Sequence, residues 1–260
     1  MLEFDADTTR LLEQCYQGAD ITRRRRESFD RLRPGPGDRI VDIGCGNGLL
    51  TLELARAVGE SGEVIGVDPS ADMRGAAQER CRESSNTRIL DGTADALPLA
   101  DGLADKALSV QVFEYLSDVP SALAEASRIL RPGGRLVLGD IHFGSMVWHS
   151  DDPERMARMC ASWDRHAVHL DLPAHLPGLM REAGFVVDGT DPVTLCDCEL
   201  RPDGLAFMLL RLMERYAVAN GHMGAAEAAA WAEEQHALAQ AGRFFFSVSH
   251  FVTVAHKPHR

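Results

Sequence analysis

Positive charge is scarce in this chain. Its 27 lysines and arginines stand against 39 aspartates and glutamates, a formal net charge of -12 with a pI near 5.3. Neutralising a phosphate backbone or an anionic membrane needs a basic surface, so no nucleic acid and no membrane is expected as a partner. Long apolar runs are absent too: no stretch reaches the roughly 18 uninterrupted residues of a membrane span. The acidic start, Met1 to Asp7, is not followed by an apolar signal core, and the expected location is cytoplasmic. Six cysteines, at positions 15, 45, 81, 160, 196 and 198, form neither a CxxC pair nor zinc-type spacing with histidine. Reduced thiols and no bound metal are expected from that pattern. Repeats at a solenoid period and low-complexity linkers are missing as well.

What is present is enough for one substantial core, with 260 residues and 45% hydrophobic side chains. Residues 8 to 33 are rich in helix formers and stop at Pro34-Gly35-Pro36-Gly37, so 1–35 reads as an N-terminal helical flap. Strands are predicted over 39–43, 63–67, 87–90, 107–112, 135–140, 185–194 and 245–255, with helices over 49–58, 70–81, 119–130, 176–183, 203–219 and 225–241. Strands alternating with helices require right-handed crossovers, hence a mainly parallel sheet covered on both faces. The expected architecture is α/β: a Rossmann-like, doubly wound, seven-stranded sheet with the flap in front and a helical lid inserted before the last strand. Its domain, 36–260, divides into a cofactor-binding core at 36–141 and substrate-lid segments at 142–183 and 203–241.

The most informative segment is Val41-Asp42-Ile43-Gly44-Cys45-Gly46-Asn47-Gly48-Leu49. Closely spaced glycines after a strand permit a tight turn and let the backbone approach a ligand over the next helix N-terminus. Asp68 closes the next strand, about 20 residues on, where a carboxylate can accept both hydroxyls of an adenosine ribose. Nicotinamide dehydrogenases share that combination, but their third glycine lies farther from the second, to admit pyrophosphate. Here Gly46 and Gly48 are two apart, and Asp42 ahead of the turn suits an ammonium-bearing ligand.

With Gly92-Thr93-Ala94-Asp95-Ala96-Leu97-Pro98 and Leu130-Arg131-Pro132-Gly133-Gly134 added, residues 36 to 141 resemble the class I S-adenosylmethionine-dependent methyltransferases. The resemblance is to the type that includes ubiquinone/menaquinone C-methyltransferases and arsenite-methyltransferase relatives. It implies S-adenosylmethionine as cofactor and S-adenosylhomocysteine as product. By the same resemblance Asp42, Gly44, Cys45, Gly46 and Asn47 surround the methionine part, Asp68 holds the ribose, and Pro69 and Met73 flank the adenine. Thr93 and Ala94 meet the adenine edge, and Gln111 lines the floor. Relatives read Gly-Asp-Ala where this chain reads Gly92-Thr93-Ala94, so the carboxylate expected on the adenine amino group is missing. Tyr16 and the run Arg23 to Arg26 carry two readings, a solvated basic face or a contribution to the cofactor carboxylate. Arg26 is the selected arginine, because its spacing to Phe29 places both on one helix face.

Ligands of open α/β sheets lie beyond the carboxyl ends of the strands, which directs the search for the acceptor site to the residues after the fifth strand. His142 is the first candidate for a general base, because an imidazole side chain can exchange a proton around neutral pH. Asp140 would orient it or a cationic acceptor, and His149 is a further candidate. Tyr115, Trp148, Trp163 and Phe245 are candidate walls for a flat or apolar acceptor, with simple core packing as the rival reading. Arsenite is a minor alternative that rests on Cys160, Cys196 and Cys198, the last two spaced so that a strand would point both to the same face. The expected reaction is C-, N- or O-methylation of a small molecule of secondary metabolism, by a monomer or homodimer. A nucleotide-linked oxidoreductase and a non-catalytic S-adenosylmethionine-binding protein stand as alternatives.

Overall fold

The computed structural model describes residues 16–259; the first 15 residues of the expected flap, Cys15 among them, lie outside it. β1 (Arg39–Ile43) is buried at every position but its first, because it is flanked on both sides. It pairs in parallel with β2 (Glu63–Asp68) and with β4 (Ala104–Val110), and β2 pairs in parallel with β3 (Thr87–Asp91). Strands buried on both faces read as continuous apolar runs, which is how RIVDI and EVIGVD appear in the sequence. β5 (Leu130–Trp148), β6 (Val186–Asp197) and β7 (Phe246–His256) complete a seven-stranded sheet of order β3-β2-β1-β4-β5-β7-β6. The order reverses between β1 and β4, and that is the switch point at which ligands of such sheets bind.

The helices are α1 (Ala19–Leu32), α2 (Leu49–Val58), α3 (Ala71–Cys81), α4 (Val119–Ile129), α5 (Pro153–Trp163), α6 (Leu172–Glu182), α7 (Leu205–Ala219) and α8 (Ala225–Gln240). Their starts follow local chemistry. Ser70 caps α3 by accepting from the Met73 amide, and Asp118 caps α4 through the Ser121 amide. None of the described helices is long and apolar enough to cross a membrane.

Three of the differences from expectation have a clear local cause. β5 was predicted over 135–140 but runs through Leu130-Arg131-Pro132-Gly133-Gly134 at one end and on to Trp148 at the other. Its extra length is set by β7: Gly133 donates to the Lys257 carbonyl, Lys257 to that of Gly134, and His149 to that of Phe245. Residue numbers rise along β5 as they fall along its partner, so β7 is antiparallel. α5 was not foreseen, although Asp152 caps it through the Arg155 amide and Pro153 occupies its first turn, where a missing N–H costs nothing. β4 ends at Val110 rather than 112, because Gln111 adopts φ +56 and turns the chain out of the sheet.

The chain forms two compact units. The core unit comprises Arg25–Ile141, Asp171–Val193 and the residues from His250 onward. Its apolar centre gathers Val41, Ile65, Ala107, Phe113, Leu123, Leu138 and, from α6, Leu172, Leu176 and Met180. Residues 171–183, expected within a lid segment, therefore belong with the sheet. The helical unit comprises the described residues up to Arg24, His142–Leu170 and Thr194–Ser249. Trp148 lies at its centre, edge-on to Trp231 and Phe246 at 5.5 and 4.8 Å, with its indole N–H on Gln235 Oε1 at 2.9 Å. The Asp20 carboxylate accepts from the Leu205 amide at 2.8 Å, which fixes the start of α7.

Candidate cofactor site

The glycine turn is built by the end of β1 and secured by β2. The Gly44 and Cys45 amides both donate to the Val67 carbonyl, at 2.7 and 3.1 Å. Gly46 has φ +53, and a Cβ placed on it meets nothing within 4 Å, so its backbone borders open space that a ligand can enter. Gly48 has a different task. A Cβ there would come within 2.9 Å of the Ala77 backbone, so the third glycine lets α2 and α3 approach.

Asp68 occupies the last position of β2, in register with Asp91 of β3. Its Oδ2 accepts the Gly46 amide and its Oδ1 the Ser70 amide, both at 2.9 Å. Each carboxylate oxygen has two lone-pair sites, so one on each oxygen remains for a vicinal diol. Burial raises the Asp68 pKa, opposed by those two amides and by the Arg74 guanidinium.

Asp42 is 2% exposed and accepts the Thr51 hydroxyl at 2.6 Å. Burial pushes its pKa up to about 7; the Thr51 bond works against the rise and the nearby Asp68 charge adds to it. Such a carboxylate takes on its charge most readily when a cation arrives. Cys45 and Asn47 are buried in the turn, and the Asn47 carbonyl accepts from Arg80 at 2.8 Å. Burial raises the Cys45 thiol pKa, which makes it a packing group. Met73 and Ala94 are buried, whereas Pro69 and Thr93 are exposed at the ends of their strands. An open bend flanked by one buried carboxylate and one with spare lone pairs fits the aminoacyl and ribose ends of S-adenosylmethionine. Every cofactor residue expected between 42 and 111 falls within the core unit.

Arg26 is a correction. The buried stripe of α1 is Ile21, Arg24, Ser28 and Leu32, spaced 3, 4 and 4. Arg26 falls on the opposite side, 62% exposed, bonded to Asp30 at 3.0 Å and lying 4.6 Å over the Phe29 ring. Phe29 is itself only half-buried, so it was a poor guide to the inward face. Arg24 is the buried arginine of the run and, with the half-buried Tyr16, belongs to the helical unit.

The acceptor candidates separate. Asp140 is buried in the core unit, where its Oδ1 accepts the Glu114 amide at 3.2 Å, and Tyr115 is half-buried in the turn Phe113–Tyr115. His142 is half-buried in the helical unit, with its carbonyl accepting the Ser145 hydroxyl at 2.7 Å. His149 is exposed, 3.8 Å from Asp151 in a surface group that includes Arg243, and does not occupy a protected catalytic position. Phe245 is 39% exposed between buried Phe244 and Phe246. Trp163 is buried, stacked on His166 with centroids 3.8 Å apart and edge-on to Tyr216. Burial lowers the His166 pKa to about 4, against the bond to the Trp163 carbonyl that raises it. Cys196 and Cys198 are both exposed, and among the described residues no group of three metal-ligating side chains occurs. Glu114, fully buried, was missed, because nothing in QVFEYL distinguishes a buried carboxylate from a surface one.

Comparison with known proteins agrees with this geometry. A family model described as a methyltransferase domain matches residues 41–138. The chain is 34% identical over 232 residues to an uncharacterised 37.1 kDa protein of a Streptomyces fradiae transposon, covering 87% of this chain and 65% of that protein. It therefore spans slightly less than two thirds of that relative. It is 32% identical over 174 residues to the demethylmenaquinone methyltransferase of Symbiobacterium thermophilum, covering 58% of this chain and 69% of the relative. Among solved structures, the YcgJ protein of Bacillus subtilis aligns with a TM-score of 0.64 at 19% identity, covering 91% of this chain and 99% of that one. That last likeness is one of fold.

Proposed function

Because the chain belongs to the class I S-adenosylmethionine-dependent methyltransferases, we propose that it methylates a flat, apolar small molecule of quinone-like or phenolic character. The observation that carries this reading is Asp68, whose Oδ2 anchors the glycine turn and whose Oδ1 holds the Ser70 amide, each oxygen still offering a lone pair to a ribose. The name of the Symbiobacterium relative supports a quinone-like acceptor. When bound, the cofactor supplies an electrophilic methyl group carried on a sulfonium.

In-line displacement leaves the protein mainly to hold, align and exclude water. Asp68 holds the ribose, and Asp42 supplies the negative charge that faces the ammonium. The Gly44 to Asn47 backbone follows the aminoacyl part, Pro69 and Met73 flank the adenine, and Thr93 and Ala94 border its edge. His142 takes the proton of an acceptor hydroxyl. Thr93 is a weak point, since an uncharged hydroxyl stands where relatives place a carboxylate. Thr93→Asp is therefore expected to tighten cofactor binding by about 1 kcal/mol, roughly fivefold; isothermal calorimetry showing unchanged affinity would remove the argument.

The deciding experiment incubates the full chain and a His142→Gln variant with methyl-labelled S-adenosylmethionine and a panel of quinols, phenols, indoles and amines. Label is expected on a quinol or phenol, matched by S-adenosylhomocysteine, with a slower rate in the variant at neutral pH. Tight cofactor binding without transfer to any acceptor would favour a non-catalytic S-adenosylmethionine-binding protein. An equal rate in the variant would remove His142 as the base.

A further inference from the structure

The parallel pairing of β4 with β5 ends at Val110 opposite Gly139, followed by one more bond from the Gln111 amide to the Gly139 carbonyl at 2.7 Å. There Gln111, at φ +56, turns the chain away from the sheet. Amides on one side of a strand recur every second residue, so the Ile141 amide faces the side that β4 has left. Glu114 takes it: Oε2 accepts the Ile141 amide at 2.9 Å. The Glu114 amide in turn donates to Asp140 Oδ1 at 3.2 Å, and Gln111 Nε2 lies 3.5 Å from Glu114 Oε1. Two buried carboxylates, at 0% and 1% exposure, thereby clasp the turn after β4 to the middle of β5 reciprocally.

Two further residues of β4 would have satisfied the Ile141 amide without burying a carboxylate, which is the costlier arrangement. What the costlier arrangement provides is divergence: β4 leaves the sheet beside the order reversal while β5 stays extended. We propose that Glu114 is a positioning residue for methyl transfer, the side chain that replaces the missing rung and sets Gln111 and Asp140 at the point where β4 leaves β5. The inference rests on the methyltransferase reading for its kinetic part only.

The test compares Glu114→Gln, which keeps an acceptor for the Ile141 amide, with Glu114→Met, which keeps the volume and loses the acceptor. Glu114→Gln should retain kcat within about threefold, whereas Glu114→Met should lose about 100-fold in kcat with the cofactor Kd little changed, as misalignment without lost binding requires. Glu114→Met and Asp140→Ala should be non-additive, the double variant no slower than the slower single one. Multiplicative losses would overturn the proposal, as would a tenfold loss in Glu114→Gln at unchanged Tm. Exchange of the Ile141 amide hydrogen is the readout independent of turnover, protected in the parent and in Glu114→Gln and fast in Glu114→Met. Absence of turnover in the parent defeats the methyltransferase reading, and unchanged Ile141 exchange in a folded Glu114→Met variant defeats the clasp. If Glu114→Met does not fold, Glu114→Gln decides alone through its kcat and its Ile141 exchange.

Discussion

Asp68→Ala is expected to abolish measurable S-adenosylmethionine binding. A hydrogen bond to a charged acceptor contributes about 1.5 to 3 kcal/mol, so losing two to the ribose amounts to roughly 3 to 6 kcal/mol, or more than two orders of magnitude in Kd. The substitution also strips the Gly46 and Ser70 amides of their acceptor, and Gly46 is the part of the turn that borders the open space. Part of the loss will therefore appear as a looser turn, which Asp68→Asn separates by retaining a single accepting oxygen and an intermediate affinity. Calorimetry is the measurement, with the circular dichroism spectrum as a control for folding. A Kd within a few-fold of the parent would move the ribose elsewhere and remove the basis of the functional reading.

Asp42→Asn should weaken cofactor binding while stabilising the ligand-free protein. The Asp42 carboxyl titrates in the folded chain at about 7, raised by burial from 3.8. The folded state thus holds a proton that the unfolded state releases, and stability falls as pH rises from about 4 to about 7, then levels off. Over that window the loss approaches roughly 4 kcal/mol as an upper figure. Asparagine removes the titration and can still accept from Thr51, so the variant should match the parent near pH 4. Above pH 7 it should exceed the parent Tm by about 5 °C or more. Binding should respond in the opposite sense, because in the proposed site it is the charged form that faces the cofactor ammonium. In the parent, affinity should drop about tenfold per unit as pH falls below 7, until the cofactor-bound pKa is reached. In the variant it should be low and flat. A variant with parental Tm at pH 8, or with the parent's pH dependence of Kd, contradicts the assignment.

The fold of the candidate cofactor half was legible in the sequence because its signals are local. A buried parallel strand is a run such as Val64 to Val67 in β2, and the turn after β1 places glycine where φ is positive, at Gly44, Gly46 and Gly48. Carboxylates that must meet a ligand stand at strand ends, as Asp68 does. The acceptor half was not legible in the same way. Its aromatic residues are equally good packing groups, and Trp148 and Trp163 are indeed buried among Phe246, Trp231, His166 and Tyr216.

By itself the sequence determined the order of the strands and of the helices other than α5, the glycine turn and the carboxylate at the end of β2. Each depends on residues within a turn or two of one another and on backbone angles that few side chains allow. Only the tertiary structure decided which face of each element is inside. It selected Arg24 over Arg26 and left Phe245 outside between Phe244 and Phe246. It ran β7 antiparallel along an extended β5 and sent Glu114 into the place that β4 vacates. Those outcomes depend on partners distant in the chain, and periodicity marks two faces without saying which one a neighbour will cover.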